Sequence, residues 1–564
     1  MRSNGDGRSR QAFYSGVLGL LLVAIYAAVA VFLLVTIRQW NGAVKLKLVL
    51  AHVLLLIPGL VLMALSKART PQPLRLPRSA AWISAYCLIT VVLGLLASHF
   101  IYMSDEGAYL FQARCLLSGS LSAPAPGFSS DPGGSAATDF QHLIISSGRW
   151  FGKYPPGWPL VLAAGLAVHL DWLVNPLLGL LILLLTARIT RSLFADRTTT
   201  ALSVAILVLS PMFLLNCVGY LSHALCGVLI AASVLFCLKA DDPEQDRLAW
   251  LAAPLIGLAA LVRPFTAACI ALPLVAYTIF CIWRRPRAWF GFAFAWGLSG
   301  LATLGATLIM NLRLTGSALV SPYALYRKRS FPLEISLSPL ALYRNATKLL
   351  PVSVGQALIA TCAGIFLLAL CAILWERRRR REVLLLAGVF LALVFGYLTN
   401  SESSDSSFGE RYWFEALFAV AILAGRGMVL LQERWRSLPA RRLAATVLAV
   451  QVIQYAIYVQ ILWVAKAPYR AVAEVRKAAR PGEVVYMLND KADTGFHAFA
   501  YNLNEPDIEH APVAYLIDPG PQYRDQLVCR MGRSQWTLVG YDRLQRKAIL
   551  IPHVQASCPA PGAN

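Results

Sequence analysis

The stretch HFIYMSDEGAYLFQARCLLSG, residues 99–119, joins an apolar run to two adjacent carboxylates. The apolar run continues to Tyr102, and Asp105 and Glu106 follow almost at once. Ionisable side chains are costly within hydrocarbon, so this acid pair indicates a point where the chain leaves an apolar phase. The composition of the chain indicates the nature of this apolar phase. The charges of the loops indicate on which side of it the acid pair lies.

Long apolar runs recur along most of the 564-residue chain, which is 57% hydrophobic and only 14% charged. A soluble domain carries about 25% charged residues, so the sequence predicts an α-helical polytopic membrane protein. The net charge of +22 does not indicate nucleic-acid binding, because the basic residues are grouped in short loops between apolar runs. The first run, 16–37, is too long for the apolar part of a signal peptide and predicts a retained anchor.

Basic loops set the predicted orientation, because Lys and Arg accumulate in short cytoplasmic loops. The strongest such loops lie at 66–79, 188–197, 283–287, 375–382 and 432–442. With these loops inside, the apolar runs predict about thirteen membrane helices and a cytoplasmic N-terminus. The predicted spans lie near 16–37, 44–65, 80–102, 173–188, 199–216, 223–239, 248–262, 265–283, 289–310, 352–375, 383–398, 412–431 and 443–464.

The same orientation leaves several segments outside. These are 103–156, 311–351, 399–411 and the chain after about residue 465. The apolar run 157–170 is too short to span, and we expect it to be re-entrant or to lie at the external interface. Arg263 and Pro264 separate two predicted spans and would form a tight external turn.

The chain therefore divides into three predicted regions. Residues 1–79 form a two-helix membrane extension, 80–464 form the membrane core, and 465–564 form an external C-terminal region. The C-terminal region contains alternating runs such as EVVYML, which predict a small soluble α/β domain. An external location would allow a disulfide between Cys529 and Cys558.

The first external loop, 103–156, carries most of the polar residues of interest. Apolar spacing after Glu106 predicts an amphipathic helix in the membrane interface, or alternatively a plain surface helix. A Gly/Pro/Ser-rich stretch, APAPGFSSDPGGSAATD, follows and is expected to be a mobile loop. The runs QHLII and RWFGKY flank SSG and predict a β-hairpin. The loop then closes with KYPPG at 153–157.

The order and sidedness of these elements resemble the C-type superfamily of membrane glycosyltransferases. The nearest relatives by pattern are protein O-mannosyltransferases, lipid A aminoarabinose transferases and related bacterial sugar transferases. The resemblance rests on the Asp-Glu pair at a helix end and on KYPPGWPLVLA at the end of the loop, and it covers about residues 80–430. Further similar stretches lie at 210–229, 257–274, 311–326 and 409–420.

The resemblance implies that a sugar moves from a polyprenyl-phosphate carrier to an acceptor glycan, lipid or protein on the external face of a bacterial inner membrane. An attacking hydroxyl must lose a proton, so a carboxylate within reach can act as general base. Asp105 matches the catalytic acidic position of the family. Glu106 would bind sugar or acceptor, or perturb the ionisation of Asp105; alternatively, the acid pair only faces water.

The leaving phosphate needs cations more than a general acid. Lys153 matches the phosphate-contacting lysine of the family's KYPP element, and Arg263, Arg327 and Arg411 are further candidates. Arg411 could instead pair with Glu410, and Arg263 could extend toward the interface without a functional role. The candidates for lining the substrate site are His142, Tyr154, His223 and Tyr323.

No grouping of His, Cys and Asp has convincing metal spacing, so we expect no cofactor, although some enzymes of this fold use a divalent cation. A secondary transporter or flippase of lipid-linked sugars is the main alternative. The predicted spans are nearly free of charge and show no internal repeat, whereas transporters carry ionisable residues near the midplane. A non-enzymatic scaffold would leave Asp105, Lys153 and Arg411 unexplained as a set.

Overall fold

The computed structural model describes residues 77–97, 103–330, 337–350, 353–354, 357, 361–400, 410–434, 444–445, 447–449, 451–455, 479–488, 502–542 and 547–558. The predicted N-terminal spans at 16–37 and 44–65 lie outside these residues. Parts of the predicted span 443–464 and of the loop 399–411 also lie outside them.

The described residues are mostly helical. The helices of the first half are α1 (Ser79–Ala97), α2 (Ser104–Leu117), α3 (Pro132–Ala137), α4 (Gly157–Ala167), α5 (Asp171–Phe194), α6 (Arg197–Val208), α7 (Pro211–Asn216), α8 (His223–Cys237), α9 (Ala252–Ala260) and α10 (Pro264–Ile282). Those that follow are α11 (Pro286–Thr315), α12 (Pro322–Ser330), α13 (Pro339–Arg344), α14 (Ala363–Trp375), α15 (Arg380–Leu398), α16 (Leu417–Arg434) and α17 (Pro521–Arg530). A 3₁₀ turn, Arg411–Ala416, leads directly into α16.

Six helical segments of the described chain are long and apolar enough to cross a membrane, namely those containing α5, α8, α10, α11, α15 and α16. This finding confirms the prediction of a multi-pass helical membrane protein. The predicted number of about thirteen spans stays a prediction, since α1, α4, α6 and α14 are shorter apolar helices.

One predicted span, 199–216, is interrupted in the structure. Helix α6 ends at Val208, and a separate short helix, α7, begins at Pro211. The side chain of Ser210 accepts a hydrogen bond from the backbone N–H of Phe213, which caps α7. Proline disfavours a helical conformation at the residue before it and cannot donate a backbone hydrogen bond. The Ser-Pro step therefore breaks what hydropathy alone presents as one helix.

The centre of the membrane part is α16, whose residues from Leu417 through Gly425 are all buried. It packs against α14 on one side and α6 on the other. Glycines permit this close approach, because a Cβ at Gly427 would collide with the carbonyl oxygen of Leu368 on α14. In contrast, α11 exposes large apolar side chains along its length, including Phe290 and Leu301. Such a surface suits contact with lipid.

The predicted first external loop, 103–156, contains a three-stranded antiparallel sheet. The predicted hairpin is present: β2 (Leu143–Ser146) pairs with β3 (Arg149–Gly152), and β1 (Ala123–Pro124) joins the other edge of β3. Ser147 and Gly148 have positive φ values of 51° and 71°, the combination that a tight two-residue hairpin turn requires.

Helix α2 differs from the predicted interfacial helix. Residues from Glu106 through Ala113 are all buried, so the helix has no broad exposed face. Its polar side chains find partners inside the protein; Gln112, for example, donates to the carbonyl oxygen of Tyr154 at 2.9 Å. The stretch expected to be a mobile loop also has regular structure, because it includes β1 and α3.

The C-terminal part contains a four-stranded sheet of β4 (Glu483–Met487), β5 (Val513–Ile517), β6 (Gln535–Asp542) and β7 (Lys547–Gln555). The strand order in this sheet is β5-β4-β6-β7. Strand β4 lies parallel to β5 and β6, and β7 is antiparallel to β6. Cys529 at the end of α17 forms a disulfide with Cys558 after β7. The predicted disulfide is therefore present.

Candidate active site

Asp105 lies in the first turn of α2, where the exposed backbone N–H groups favour a negative charge. The adjacent Glu106 is fully buried and has a different surrounding. One of its carboxylate oxygens accepts the backbone N–H of Met103 at 3.1 Å, and the other accepts that of Tyr220 at 2.8 Å. Glu106 therefore fixes the start of α2 to the segment before α8, and Asp105 is the acid with an exposed fraction, 16%.

The carboxylate of Asp105 is held from two sides. The hydroxyl of Tyr154 donates to Oδ1 at 2.5 Å, and Nη1 of Arg411 lies 3.3 Å from Oδ2. His142 is close as well, with Nε2 3.9 Å from Oδ2, but that nitrogen lies only 2.9 Å from Oγ of Ser104. Three parts of the chain thus meet at one carboxylate: the start of α2, the two ends of the hairpin, and the 3₁₀ turn that leads into α16.

These neighbours determine the ionisation of the site. Burial alone would raise the pKa of the Asp105 carboxyl, but Arg411 first, and then His142, Lys153 and the hydrogen bond from Tyr154, outweigh it and hold that pKa well below its usual range. Burial, and then Lys153, lower the pKa of His142 to about 3. His142 is therefore neutral near pH 7 and contacts Ser104 through a hydrogen bond. Burial and then Asp105 raise the pKa of Tyr154, so its hydroxyl keeps the proton that it donates.

The hairpin brings Lys153 and Tyr154 to Asp105 by fixed contacts. Gln112 of α2 lies against Gly152, where a Cβ would come within 2.5 Å of its side chain. At the other end of the turn, the backbone N–H of Gly157 donates to the carbonyl oxygen of Leu261 at 3.0 Å. The KYPPG turn is therefore held between α2 and the segment that precedes Arg263.

Lys153 lies among aromatic rings and is only 7% exposed. Its Nζ is 5.1 Å from the ring centre of Tyr154, 4.9 Å from that of Tyr323 and 4.6 Å from that of Tyr326. Ring faces attract a cation without neutralising it. The aromatic residues thus hold Lys153 over the ring of Tyr154, the residue whose hydroxyl donates to Asp105.

A second buried cluster surrounds Arg263, directly before α10. Its Nε lies 2.9 Å from Oε1 of Glu415, and Nδ1 of His223 lies 2.9 Å from the same oxygen. Glu415 is fully buried, whereas the side chain of Arg263 is 14% exposed. Nη2 of Arg263 donates to the hydroxyl of Tyr397 at 3.3 Å. The buried carboxylate of Glu415 therefore fixes the position of the Arg263 guanidinium, which is partly exposed.

Aromatic residues connect the two clusters. The guanidinium carbons of Arg263 and Arg411 lie 5.7 Å and 5.4 Å from the ring centre of Tyr412. The ring of Tyr109 of α2 packs against that of Tyr154, with ring centres 4.4 Å apart and a 38° angle between the planes, and its hydroxyl lies 3.1 Å from Oγ of Ser222. Asp105, Lys153 and both arginines therefore belong to one polar site at the ends of membrane helices.

Comparison with known proteins gives structural matches alone, because neither a protein family model nor a curated protein matches the sequence. ArnT from Cupriavidus metallidurans bound to undecaprenyl phosphate is 13% identical, and the match covers 82% of this chain and 94% of ArnT with a TM-score of 0.47. Arabinosyltransferase EmbB from Mycobacterium smegmatis is 14% identical over 77% of this chain and 46% of its own, with a TM-score of 0.41. Arabinofuranosyltransferase AftD from mycobacteria is 14% identical over 84% and 36%, with a TM-score of 0.39.

Each of these TM-scores is below 0.5, so the support for an activity lies in the residues of the site itself.

Most of the predicted site residues lie together. Around Asp105 the structure brings His142, Lys153, Tyr154, Tyr323 and Arg411, and the adjoining cluster holds His223 and Arg263. Glu106 is separated from this group by its hydrogen bonds to backbone. Arg327 lies on α12, at a position where the side chain is not among those described. Arg411 has Asp105 as its ion-pair partner, where pairing with Glu410 was the alternative.

The sequence did not indicate three further residues of the site, namely Glu415, Tyr412 and Tyr397. Glu415 had a usable signal, because an acid at the start of an apolar helix is expensive without a partner. The tyrosines had none, since aromatic residues are common at membrane interfaces. Among the described residues, no group of three or more His, Cys, Asp or Glu side chains is arranged to hold a metal ion.

Proposed function

We propose that this protein is a membrane glycosyltransferase that moves a sugar from a polyprenyl-phosphate donor to an acceptor hydroxyl. The observation that carries the proposal is one carboxylate, Asp105, held by the hydroxyl of Tyr154 and by Arg411, with the ammonium group of Lys153 over the ring of the same tyrosine. The acceptor is an envelope glycan, a lipid or a protein. The setting is the external face of a bacterial inner membrane, with the N-terminus inside.

Asp105 acts as general base in this proposal. It accepts the proton of the acceptor hydroxyl while the acceptor oxygen forms a bond to the anomeric carbon. The bond between that carbon and the phosphate oxygen breaks, and polyprenyl phosphate leaves as an anion. Because one displacement takes place on one carbon, the anomeric configuration inverts. Lys153, Arg411 and Arg263 stabilise the charge that develops on the phosphate, and we add Arg327 as a further candidate.

The donor also changes the surroundings of the base. Without substrate, Arg411 pairs with Asp105 and lowers its basicity. A donor phosphate competes for the guanidinium and brings negative charge of its own. Both effects raise the pKa of Asp105, so the carboxylate becomes a better base when the donor is present.

The remaining predicted residues receive supporting roles. Tyr154, which donates to Asp105, orients the carboxylate. His142, Tyr323 and His223 line the sugar and acceptor side, and Glu106 holds the helix start rather than contacting substrate. The proposed chemistry uses cationic side chains on the phosphate and requires no cofactor. The disulfide between Cys529 and Cys558 supports an external, oxidising location for the C-terminal part.

The test is a transfer assay with detergent-purified protein and a labelled polyprenyl-phosphate sugar. We expect release of polyprenyl phosphate and appearance of the label in a glycan, lipid or protein fraction from the same envelope. Detergent removes the two compartments that a flippase needs, so a flippase would show donor binding without release of the carrier. Binding without any release across a panel of sugars and acceptors would refute the proposal.

A further inference from the structure

Helix α2 is bound at both of its ends. Asp105 in its first turn lies in the candidate site, and Arg114 in its last turn contacts the C-terminal part of the chain. Nη1 of Arg114 donates to the carbonyl oxygens of Leu503 and Asn504 at 3.4 Å and 3.1 Å. Arg114 is only 13% exposed, and its additional ion pair with Glu505 is 3.6 Å long and mostly solvent-exposed on the glutamate side. The carbonyl contacts are therefore the buried part of this attachment.

The acceptors of Arg114 are themselves held by the C-terminal sheet. Asn504 is fully buried, and its side chain exchanges two hydrogen bonds of 2.8 Å with the backbone of Tyr515 in β5. Asn502 also holds Asn504 in place, because its Oδ1 accepts hydrogen bonds from the backbone and side-chain nitrogens of Asn504. A continuous set of hydrogen bonds thus runs from strand β5 to the end of α2.

Three further contacts join the same two parts. The backbone N–H of Gly127 in the external loop donates to Oε1 of Glu509 at 2.6 Å. Arg530 of α17 forms an ion pair with Asp131, the residue before α3. The ring of Tyr523 lies against Gly133, where a Cβ would come within 2.7 Å of it. The stretch expected to be a mobile loop is therefore covered by the C-terminal part.

The C-terminal surface that makes these contacts is itself braced. Arg533 is 9% exposed and donates to the carbonyl oxygens of Glu483, Ile508 and Ala511, which fixes the turn that carries Glu509. The disulfide of Cys529, next to Arg530, ties the end of α17 to the chain after β7. A braced surface can hold a loop in place better than a flexible tail.

We propose that the C-terminal sheet region, described over 483–488, 502–542 and 547–558, positions α2 for the transfer reaction, with Arg114 as the positioning residue. The expected effect on kcat rests on the proposed function, whereas the attachment of α2 to the C-terminal region does not. A rigid helix joins Arg114 to Asp105 over roughly two and a half turns, so release of Arg114 shifts or loosens the base. Lys153 and Arg263 lie on other elements, so the grip on the donor phosphate persists.

The experiment compares Arg114→Ala with Arg114→Lys and with a control, Arg149→Ala. Arg149 is an exposed arginine of the same loop, and it contacts the carbonyl oxygen of Arg313 rather than the C-terminal region. We expect Arg114→Ala to lower kcat about ten- to hundredfold, the scale of a misplacement of about 1 Å, with donor KM nearly unchanged. Arg114→Lys should recover part of kcat, and Arg149→Ala should match the parent protein.

Hydrogen–deuterium exchange provides a readout that does not need activity. In the full-length protein, the backbone of residues 104–117 should exchange faster in Arg114→Ala than in the parent or in Arg149→Ala. Unchanged kcat together with unchanged exchange would overturn this inference, and so would a loss of kcat that Arg149→Ala reproduces. If the parent protein shows no transfer, the proposed function fails, while the exchange comparison still decides whether the C-terminal region holds α2.

Discussion

Nη1 of Arg411 lies 3.3 Å from Oδ2 of Asp105, so the proposed base and a proposed phosphate ligand form an ion pair in the described state. This relationship gives Arg411 two competing partners, the carboxylate and the donor phosphate. A site arranged in this way keeps Asp105 ionised without substrate and releases it when an anion arrives.

Replacement of Arg411 should weaken donor binding. Arg411→Ala removes a proposed phosphate ligand from a mostly buried position. Loss of one partner of a buried charge pair, here the guanidinium that would pair with the donor phosphate, typically weakens binding by about tenfold or more. We expect donor KM to rise accordingly in steady-state assays. Arg426→Ala is the matched control, because Arg426 is as buried as Arg411 but pairs with Glu376. An equal rise in KM for both variants would contradict the assignment.

The pH dependence should reflect the lowered pKa of Asp105. The folded-state pKa lies below that of the unfolded chain, so the ion pair stabilises the protein above about pH 4 and is lost only as pH falls through the lower folded value. In the free enzyme, kcat/KM should therefore show no acid limb from Asp105 between about pH 5 and 8. His142, with a pKa of about 3, adds none.

In Arg411→Ala the same acid limb should move to higher pH, because burial raises the pKa of Asp105 once its cation is gone. The measurement is kcat/KM across pH for the parent and the variant. In the parent, the acid limb of kcat should lie above that of kcat/KM, since the bound donor draws Arg411 away. Coincident limbs in all of these profiles would refute the competition between carboxylate and phosphate.

Lys153 should contribute to donor use through its charge. Lys153→Ala leaves the rings of Tyr323 and Tyr326 without their cation and takes one charge from the phosphate site. We expect donor KM to rise about tenfold, the size of one charge-assisted contact. Arg149→Ala removes a cation from the same hairpin outside this ring cluster and serves as control. A variant whose KM equals that of the control would remove Lys153 from the site.

Glu415 should act by holding Arg263. Glu415→Gln leaves the guanidinium of Arg263 without its buried counter-charge, which permits it to move. Donor KM should rise, and the thermal midpoint should fall. Glu376→Gln is the matched control, because Glu376 is 3% exposed and also pairs with an arginine, Arg426. We expect that control to lower the midpoint without a change in KM; a rise in KM in both would mean that the effect is only structural.

Part of this site could be predicted from the sequence because the chemistry leaves local signals. Asp105 breaks an apolar run, Lys153 follows a hairpin with a recognisable turn, and Arg411 begins an apolar helix. Such residues stand out against hydrocarbon-facing neighbours. The hairpin was predictable for a similar reason, since Ser147 and Gly148 favour a tight turn between two β-prone runs.

Tertiary contacts were not predictable in the same way. Helix α2 has the apolar spacing of a surface helix, yet it is buried because α4 and strand β3 pack against it, and the C-terminal region contacts its last turn. The pairing of Arg263 with Glu415 joins residues far apart in the chain, and no local pattern encodes it. Glu106 resembles a second catalytic acid in the sequence, but its partners are backbone N–H groups of Met103 and Tyr220.

The most direct test of the central claim is single-turnover transfer by Asp105→Asn with a labelled polyprenyl-phosphate sugar. Asparagine keeps an acceptor for the hydroxyl of Tyr154 but cannot take a proton at neutral pH. We predict that the chemical step slows by about 10²- to 10⁴-fold, while donor binding is retained. Transfer at the parental rate by a folded Asp105→Asn protein would contradict the assignment of Asp105 as the base.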